Sequence, residues 1–409
     1  MSATQSGKTA SAFSRIRVVE CGEGVSAAFG AKMLADLGAE VVKVEPPGGD
    51  LTRRRGPFPD NKPDPEKSGL FIYLNTNKRS VVADLTRPEG REMLDRLLEG
   101  ADVLIHNVAP PDRAAAGLVS ADLCARHPKL LVAAISLFGA TGPRANWRGS
   151  ELTASNASGW AYLSPGASPS PELPPLKPFG QQCDYQAGAH AAFVTLAAYM
   201  HRLKSGRGQA IEVSEQEVIS AMLEMNFMHW TYAGRETSRL GVRMIGPWFI
   251  TDCADGKIFI VAVTEDQWQR LVEMMGNPEW ANEEIFKDRV LRGQNMDALK
   301  ALTAEWFAGW KVADLYREGQ RRRIPFAPVS TMRALYENEH LAERGFFEEL
   351  DQPGVGKLRM PGMPSRYGAT PWTLRRPAPR LGEHTEEVFS GELGITRERL
   401  AALREKNIG

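Results

Sequence analysis

Short apolar runs alternate with helix-length segments along the first third of the chain, and this alternation limits the fold more than any other feature. Ile16-Arg17-Val18-Val19-Glu20-Cys21 reads as a short buried strand, Ser26 to Leu37 as a helix, and Val41-Val42-Lys43-Val44-Glu45 as a second strand. Ser80-Val81-Val82-Ala83, a helix over Pro88 to Leu98, Val103-Leu104-Ile105 and Leu131-Val132-Ala133-Ala134-Ile135 continue the series. Alternation at this interval predicts the α/β class: a doubly wound sheet whose ligands gather at the strands' C-terminal ends.

A chain of 409 residues exceeds one ordinary core, so two domains are expected. The first would be a Rossmann-like large domain over residues 15–225. A smaller α+β domain is expected over 240–330, where Trp248, Trp268, Trp280, Trp306 and Trp310 fall and Asp255-Gly256-Lys257 offers a hairpin turn. Residues 345–409 would return to the large domain. Residues 1–14 are polar, rich in Ser, Thr and Ala, and lack an apolar run; they read as a disordered leader, not a signal peptide.

Lys+Arg and Asp+Glu balance at 50 each, so the chain as a whole projects no field toward nucleic acid or an anionic membrane. An anionic ligand therefore needs a local basic pocket. No apolar run reaches the length of a membrane span. The 4 cysteines are scattered without C-x-x-C pairing, and the 7 histidines form no metal spacing. The expectation is no metal, and a reducing, cytoplasmic setting.

Three stretches carry candidate chemistry. Gly22-Glu23-Gly24-Val25-Ser26-Ala27 is a literal G-x-G-x-x-A between a strand and a helix, with Glu45 closing the next strand. A long loop follows Glu45 where a nicotinamide fold would place its next helix, but Gly24, Val25 and Ser26 can still approach a pyrophosphate. Arg53-Arg54-Arg55 beside Gly48-Gly49 is either a solvated basic loop or a phosphate trap built from guanidinium forks. Finally, Asp184 stands where the Pro- and Gly-rich stretch up to Gly180 gives way to a long helical pattern that ends at Lys204-Ser205-Gly206. By capping preference alone, Asp184 is the N-cap of that helix.

Asp184-Tyr185 with Gly188, followed by Lys204-Ser205-Gly206-Arg207-Gly208-Gln209, resembles the nucleophile region of the family III CoA-transferases. Leu37-Gly38-Ala39-Glu40-Val41-Val42-Lys43-Val44-Glu45, Asn75-Thr76-Asn77-Lys78-Arg79-Ser80, Ala101-Asp102-Val103-Leu104-Ile105-His106-Asn107 and Leu381-Gly382-Glu383-His384-Thr385 extend the likeness over nearly the whole chain. The resemblance implies coenzyme A, bound as acyl-CoA, and a carboxylic acid as substrates. It implies Asp184 as the nucleophile, acylated and then converted to an aspartyl-CoA thioester through mixed anhydrides, with Glu151 beside it. Carried over residue by residue, Ala83, Asp84, Leu85 and Thr86 would lie along the adenosine. Asn107 with Val108, Arg113 and Arg148 would contact CoA, whose pyrophosphate the Gly24, Val25 and Ser26 turn could approach by its own geometry. An interlocked homodimer is also implied, with a hetero-oligomer open. Taken by itself, Glu151 reads as a helix N-terminal carboxylate after Ser150.

Two segments depart from the family pattern. Gly241 to Trp248 is shorter and poorer in glycine than the family's shielding loop. Glu23 to Ala28 differs from the matching segment of the formyl-CoA-using members. Acyl-CoA racemase, a relative in the same superfamily, is an alternative, although Ser150-Glu151 stands where racemases carry a His-Asp step. A non-catalytic CoA-binding subunit is another. Cys183, near a helix start, is a further candidate nucleophile. Dicarboxylates, carnitine and aryl acids all remain open as the acid.

Overall fold

The computed structural model describes residues 11–165, 172–239 and 245–409, which divide into two compact units. The first holds the described residues of Met1–Ala161, Lys177–Ala233 and Gly345–Gly409; the second holds those of Tyr162–Leu176 and Gly234–Arg344.

In the first unit the chain runs β1 (Arg17–Cys21), α1 (Ser26–Asp36), β2 (Glu40–Glu45), α2 (Gly69–Asn75), β3 (Lys78–Val82), α3 (Pro88–Leu98), β4 (Val103–His106) and α4 (Ser120–Arg126). It continues with β5 (Leu131–Ser136), α5 (Glu151–Ala157), α6 (Gln182–Ser205), β6 (Gln209–Ser214), α7 (Glu215–Ala221) and α8 (Glu224–Ala233). The six strands form one parallel sheet in the order β3-β2-β1-β4-β5-β6. Strand order reverses between β1 and β4, which opens a crevice at the strands' C-terminal ends.

Both faces of this sheet are covered, which is why its strands read as nearly unbroken apolar runs. Because side chains alternate, Val18, Val41, Val103, Ile105, Leu131 and Ala133 pack with Ala31 and Leu34 of α1 and Ala187 and Ala191 of α6. Val19, Cys21, Val42, Val44, Val81 and Leu104 pack on the other face with Met93, Leu94 and Leu97 of α3 and Leu123. Buried charges interrupt the pattern and answer one another. Glu20 and Lys43 are register partners across β1 and β2, both at 0% exposure, and their side chains pair at 2.7 Å. Lys43 also reaches Asp50 at 2.8 Å, and Lys78 reaches Glu20 at 2.7 Å, so each buried charge has a counter-charge.

The helices α1 and α6 meet backbone to backbone. A Cβ on Gly30 would lie 2.9 Å from the Gly188 carbonyl oxygen, and one on Gly188 would collide with the Ser26 carbonyl oxygen. Only glycine at both positions allows this crossing.

The return segment adds the hairpin β10 (Phe347–Gln352) and β11 (Gly356–Pro361), then rejoins the sheet at β3. There His384 N donates to Ser80 O at 2.9 Å, and Val82 N donates to Thr385 Oγ1 at 3.1 Å. Residues 1–10 of the expected leader lie outside the described residues. Phe13, near its end, donates its N–H to Leu37 O at 3.0 Å and packs on the α1 core.

The second unit holds β7 (Trp248–Cys253), β8 (Gly256–Val261), α9 (Glu265–Met274), α10 (Arg289–Gln294), α11 (Met296–Ala308), α12 (Val312–Arg322) and β9 (Phe326–Pro328). Its antiparallel sheet, ordered β7-β8-β9, packs Ile258, Ile260 and Phe326 against Trp268, Leu271 and Phe307. The hairpin turn falls one residue before the expected place: Cys253 pairs with Gly256, which leaves Ala254 and Asp255 at the tip.

Candidate active site

A cleft of about 310 Å³ opens in the first unit at the C-terminal ends of β1, β4, β5 and β6. Its titratable wall consists of Glu23, Glu151, Asp184 and Glu215, with Arg148 at one side.

The floor is the turn after β1. Gly22 has φ 116 and Gly24 φ 85, conformations that side-chain-bearing residues rarely hold. Asn107, just past β4, fastens this turn. Its Oδ1 accepts from Glu23 N at 3.1 Å, while its Nδ2 donates to Glu23 O at 2.7 Å and to Ser26 Oγ at 3.1 Å. Val25 and Ser26 are buried beneath.

Asp184 does not cap its helix. The N-cap is Gln181, and Asp184 is the third residue of α6. The carboxylate held by the helix terminus is that of Glu151. Its Oε2 accepts from Cys183 N and from Asp184 N, each at 3.1 Å. Glu151 itself opens α5, behind Ser150. Local capping preference loses here because a carboxylate distant in sequence already satisfies the free N–H groups. Asp184 is left with Gln181 Nε2 at 2.9 Å as its side-chain donor. Burial, reinforced by the charge of Glu151, pushes its carboxyl up to about 7, against the pull of Gln181, Arg55 and Lys177. Lys177 Nζ stands 3.9 Å from Glu151 Oε1.

Cys183 is fully buried, and burial with the Glu151 charge beside it pushes its thiol up to about 12. A helix start would favour thiolate, but here it is overruled, which removes Cys183 as a nucleophile.

The remaining candidates are divided between the cleft and its surroundings. Arg148 lines the cleft and makes a two-pronged pair with Asp112, both bonds at 2.8 Å. Arg113 points inward: it is buried and donates to Val108 O at 3.0 Å and Ile135 O at 3.4 Å. Ala83 is buried in the sheet core, and Leu85 packs against the same core. Asp84 turns its carboxylate onto Thr86, whose N–H lies 3.0 Å away. These four residues follow β3 and are absent from the cleft wall. Of the arginine run, Arg53 is no phosphate trap. It is buried, and it binds Glu45 at 2.7 and 2.9 Å and Glu66 at 3.0 Å. Arg55 keeps its charge within reach of Asp184 and Tyr185.

Glu215 is the residue that sequence reasoning missed. It directly follows β6, is 7% exposed and lines the cleft with Asp184. In the sequence Ser214-Glu215-Gln216-Glu217 looks like an ordinary acidic first turn, and nothing local distinguishes the buried acid from the solvated one. Of the Gly241–Trp248 stretch, residues 241–244 lie outside the described residues, and Gly246 to Trp248 belong to the second unit. Among the described residues no cluster could hold a metal, and no helix is long and apolar enough to cross a membrane.

The same chain can be set beside known proteins. It is 33% identical over 388 residues to succinyl-CoA:(R)-benzylsuccinate CoA-transferase subunit BbsE of Thauera aromatica, covering 92% of this chain and 93% of that one. It is 31% identical to succinate–glutarate CoA-transferase of Agrobacterium fabrum, covering 92% and 94%. The fold is similar to the crystal structure of a CAIB/BAIF family protein from Brucella suis, with a TM-score of 0.83, 29% identity and 94% and 99% of the two chains covered. The model of CoA-transferase family III matches residues 13–385. With its parallel α/β sheet and its cleft at the strand ends, the chain belongs to the family III CoA-transferases, enzymes that move CoA between carboxylic acids.

Proposed function

We propose that this enzyme transfers CoA through covalent acylation of Asp184. The observation that carries the reading is the placement of that carboxylate. It is mostly buried at the start of α6, in one cleft with the Gly24–Ser26 turn, Asn107 and Arg148. Asp184 attacks the thioester carbonyl of the donor, forming a mixed anhydride and releasing CoA thiolate; the thiolate reopens the anhydride to give aspartyl-CoA and the free donor acid. The acceptor carboxylate attacks that thioester, and the thiolate again opens the resulting anhydride. Each step exchanges one acyl bond for another, so no proton is gained or lost. Burial excludes water, which would hydrolyse the anhydrides.

In this reading the backbone of Gly24 to Ser26 lies along the CoA pyrophosphate, and Arg148 supplies positive charge at the cleft. Asn107 acts by fixing the turn. Arg113, turned inward, supports the same wall from behind, and Ala83 to Thr86 lie where the adenosine would extend past β3. A dicarboxylic acid is the favoured acceptor class. Two relatives carry succinate, glutarate or benzylsuccinate in their names, and Arg55 and Lys177 bring positive charge toward Asp184, suited to a second carboxylate.

The working unit is proposed to be a dimer. Phe193, Met200 and Leu203 on α6 and Met225, Phe227, Trp230 and Tyr232 on α8 are exposed in the single chain, more apolar surface than solvent ordinarily tolerates. The partner is a second copy or, as the word subunit in the Thauera relative's name allows, a related chain.

The test is hydroxylamine trapping with a panel of succinyl-, acetyl- and benzoyl-CoA, followed by mass analysis. A hydroxamate on Asp184 is expected, together with loss of transfer and retention of CoA binding in Asp184→Ala. Unchanged turnover in that variant refutes the assignment.

A further inference from the structure

Of the four carboxylic acids lining the cleft, Glu151, Asp184 and Glu215 act on one another, and like charges so placed cannot all be ionised. They differ in what they are given. Glu151 takes the backbone N–H groups at the start of α6 and has Lys177 at 3.9 Å. Asp184 has Gln181, with the charges of Arg55 and Lys177 nearby. Glu215 is the most deprived: burial, Asp184 and Glu151 all oppose its charge, against the pull of the Ser26 hydroxyl on α1.

The groups facing it from neighbouring elements are Glu151 of α5 and Asp184 and Cys183 of α6. On β6, Glu212 is turned away to the Ala140 N–H. A second observation marks the same place as a ligand position. Ser136 ends β5 as the register partner of Ser214, lies 5% exposed on the cleft wall, and has a hydroxyl without any hydrogen-bond partner. Ser136 therefore pairs with the residue just before Glu215, and both line the same cleft, Ser136 with its hydroxyl unpartnered.

We propose that Glu215 is a catalytic residue in its neutral form, donating its O–H to the acyl oxygen of the thioester or anhydride while keeping its own proton. The inference rests on the reading that Asp184 is acylated. Negative charge develops on the acyl oxygen as Asp184 attacks, and a fixed donor in a dry site stabilises it without reorganisation. A second carboxylate would repel that charge, whereas a neutral carboxyl does not. Burial, with Asp184 and Glu151 adding to it, pushes Glu215 up to about 8, in keeping with a retained proton at neutral pH. Ser136 offers a hydroxyl to the same group.

The experiment compares Glu215→Gln and Glu215→Leu, using whichever of succinyl-, acetyl- or benzoyl-CoA acylates the wild-type enzyme fastest. Glutamine keeps a neutral donor, so the single-turnover rate of Asp184 acylation should stay within about tenfold of wild type; leucine should lose on the order of 10²-fold, the usual cost of one oxyanion donor. Wild-type turnover should also fall as pH rises past about 8, where Glu215 loses its proton, and Glu215→Gln should lack that fall. Thermal melts check that both variants fold. The proposal is overturned if Glu215→Gln is as slow as Glu215→Leu, which would mean the ionised form is needed, or if Glu215→Leu matches wild type. The two readings fail separately: no hydroxamate on wild-type Asp184 sinks the acylation step, whereas hydroxamate formed in Glu215→Leu at the wild-type single-turnover rate sinks only the role given to Glu215.

Discussion

Glu151 holds the N-terminus of the helix that carries Asp184, its Oε2 lying 3.1 Å from the Asp184 backbone nitrogen. One carboxylate therefore does two things to the other: it fixes the position of the Asp184 backbone, and its charge opposes ionisation of the Asp184 side chain.

These two effects can be separated by substitution. Glu151→Gln retains an acceptor oxygen but no charge, so the helix start should hold while Asp184 ionises more readily and the acidic limb of the activity profile moves to lower pH. Glu151→Ala loses both and should also cost about 0.5–2 kcal/mol of stability, the range for a lost helix cap. Thermal melts beside pH–rate profiles of the two variants check this. Equal limbs in Glu151→Gln and wild type would show that the charge is not felt at Asp184.

Asp184 also ties activity and stability to pH in opposite directions. In the proposed role of nucleophile it must be ionised, so turnover should fall as pH drops through about 7. Its folded pKa is raised above the ordinary aspartate value of 3.8, so between about 4 and about 7 the folded state binds more protons than the unfolded chain, and stability contributed here falls as pH rises. Asp184→Asn removes a charge that the fold disfavours. It should raise the melting temperature at pH 8 and leave it nearly unchanged at pH 4, while abolishing transfer. A melting temperature lowered equally at both values would contradict this.

Arg113 and Arg148 should behave oppositely, although both are arginines expected near CoA. Arg113→Ala removes a buried guanidinium and strands the carbonyls of Val108 and Ile135, so it should destabilise the fold by about 1–3 kcal/mol in denaturant titrations. Arg148 pairs with Asp112 at the surface, with the two side chains 66% and 47% exposed, and such pairs contribute about 0–1 kcal/mol. Arg148→Ala should leave the melt in place and raise KM for acyl-CoA, more so at low salt.

The sheet was legible because burial on both faces leaves unbroken apolar runs, and Asp184 because a helix start after a proline- and glycine-rich loop is a local event. What sequence could not supply were partners distant along the chain. The claim of Glu151 on the α6 terminus spans more than thirty residues of sequence and passes through a loop, so capping preference assigned Asp184 the wrong post. Arg53 looked solvent-bound until Glu45 and Glu66 closed on it. Glu215 looked solvated because the residues around it, Ser26 of α1, Glu151 of α5 and Asp184 of α6, are distant along the chain, and no periodicity within Ser214–Glu217 records that.

The glycine contact between α1 and α6 has a consequence for how such an enzyme can change its diet. The turn that opens α1 and the aspartate in the first turn of α6 share a chassis with no slack, since any side chain at Gly30 or Gly188 would wedge the two apart. New substrates must then be met by redecorating the rim, at residues such as Ala145, Trp147 and Arg148, while the spacing between Asp184 and the Gly24–Ser26 turn stays as inherited.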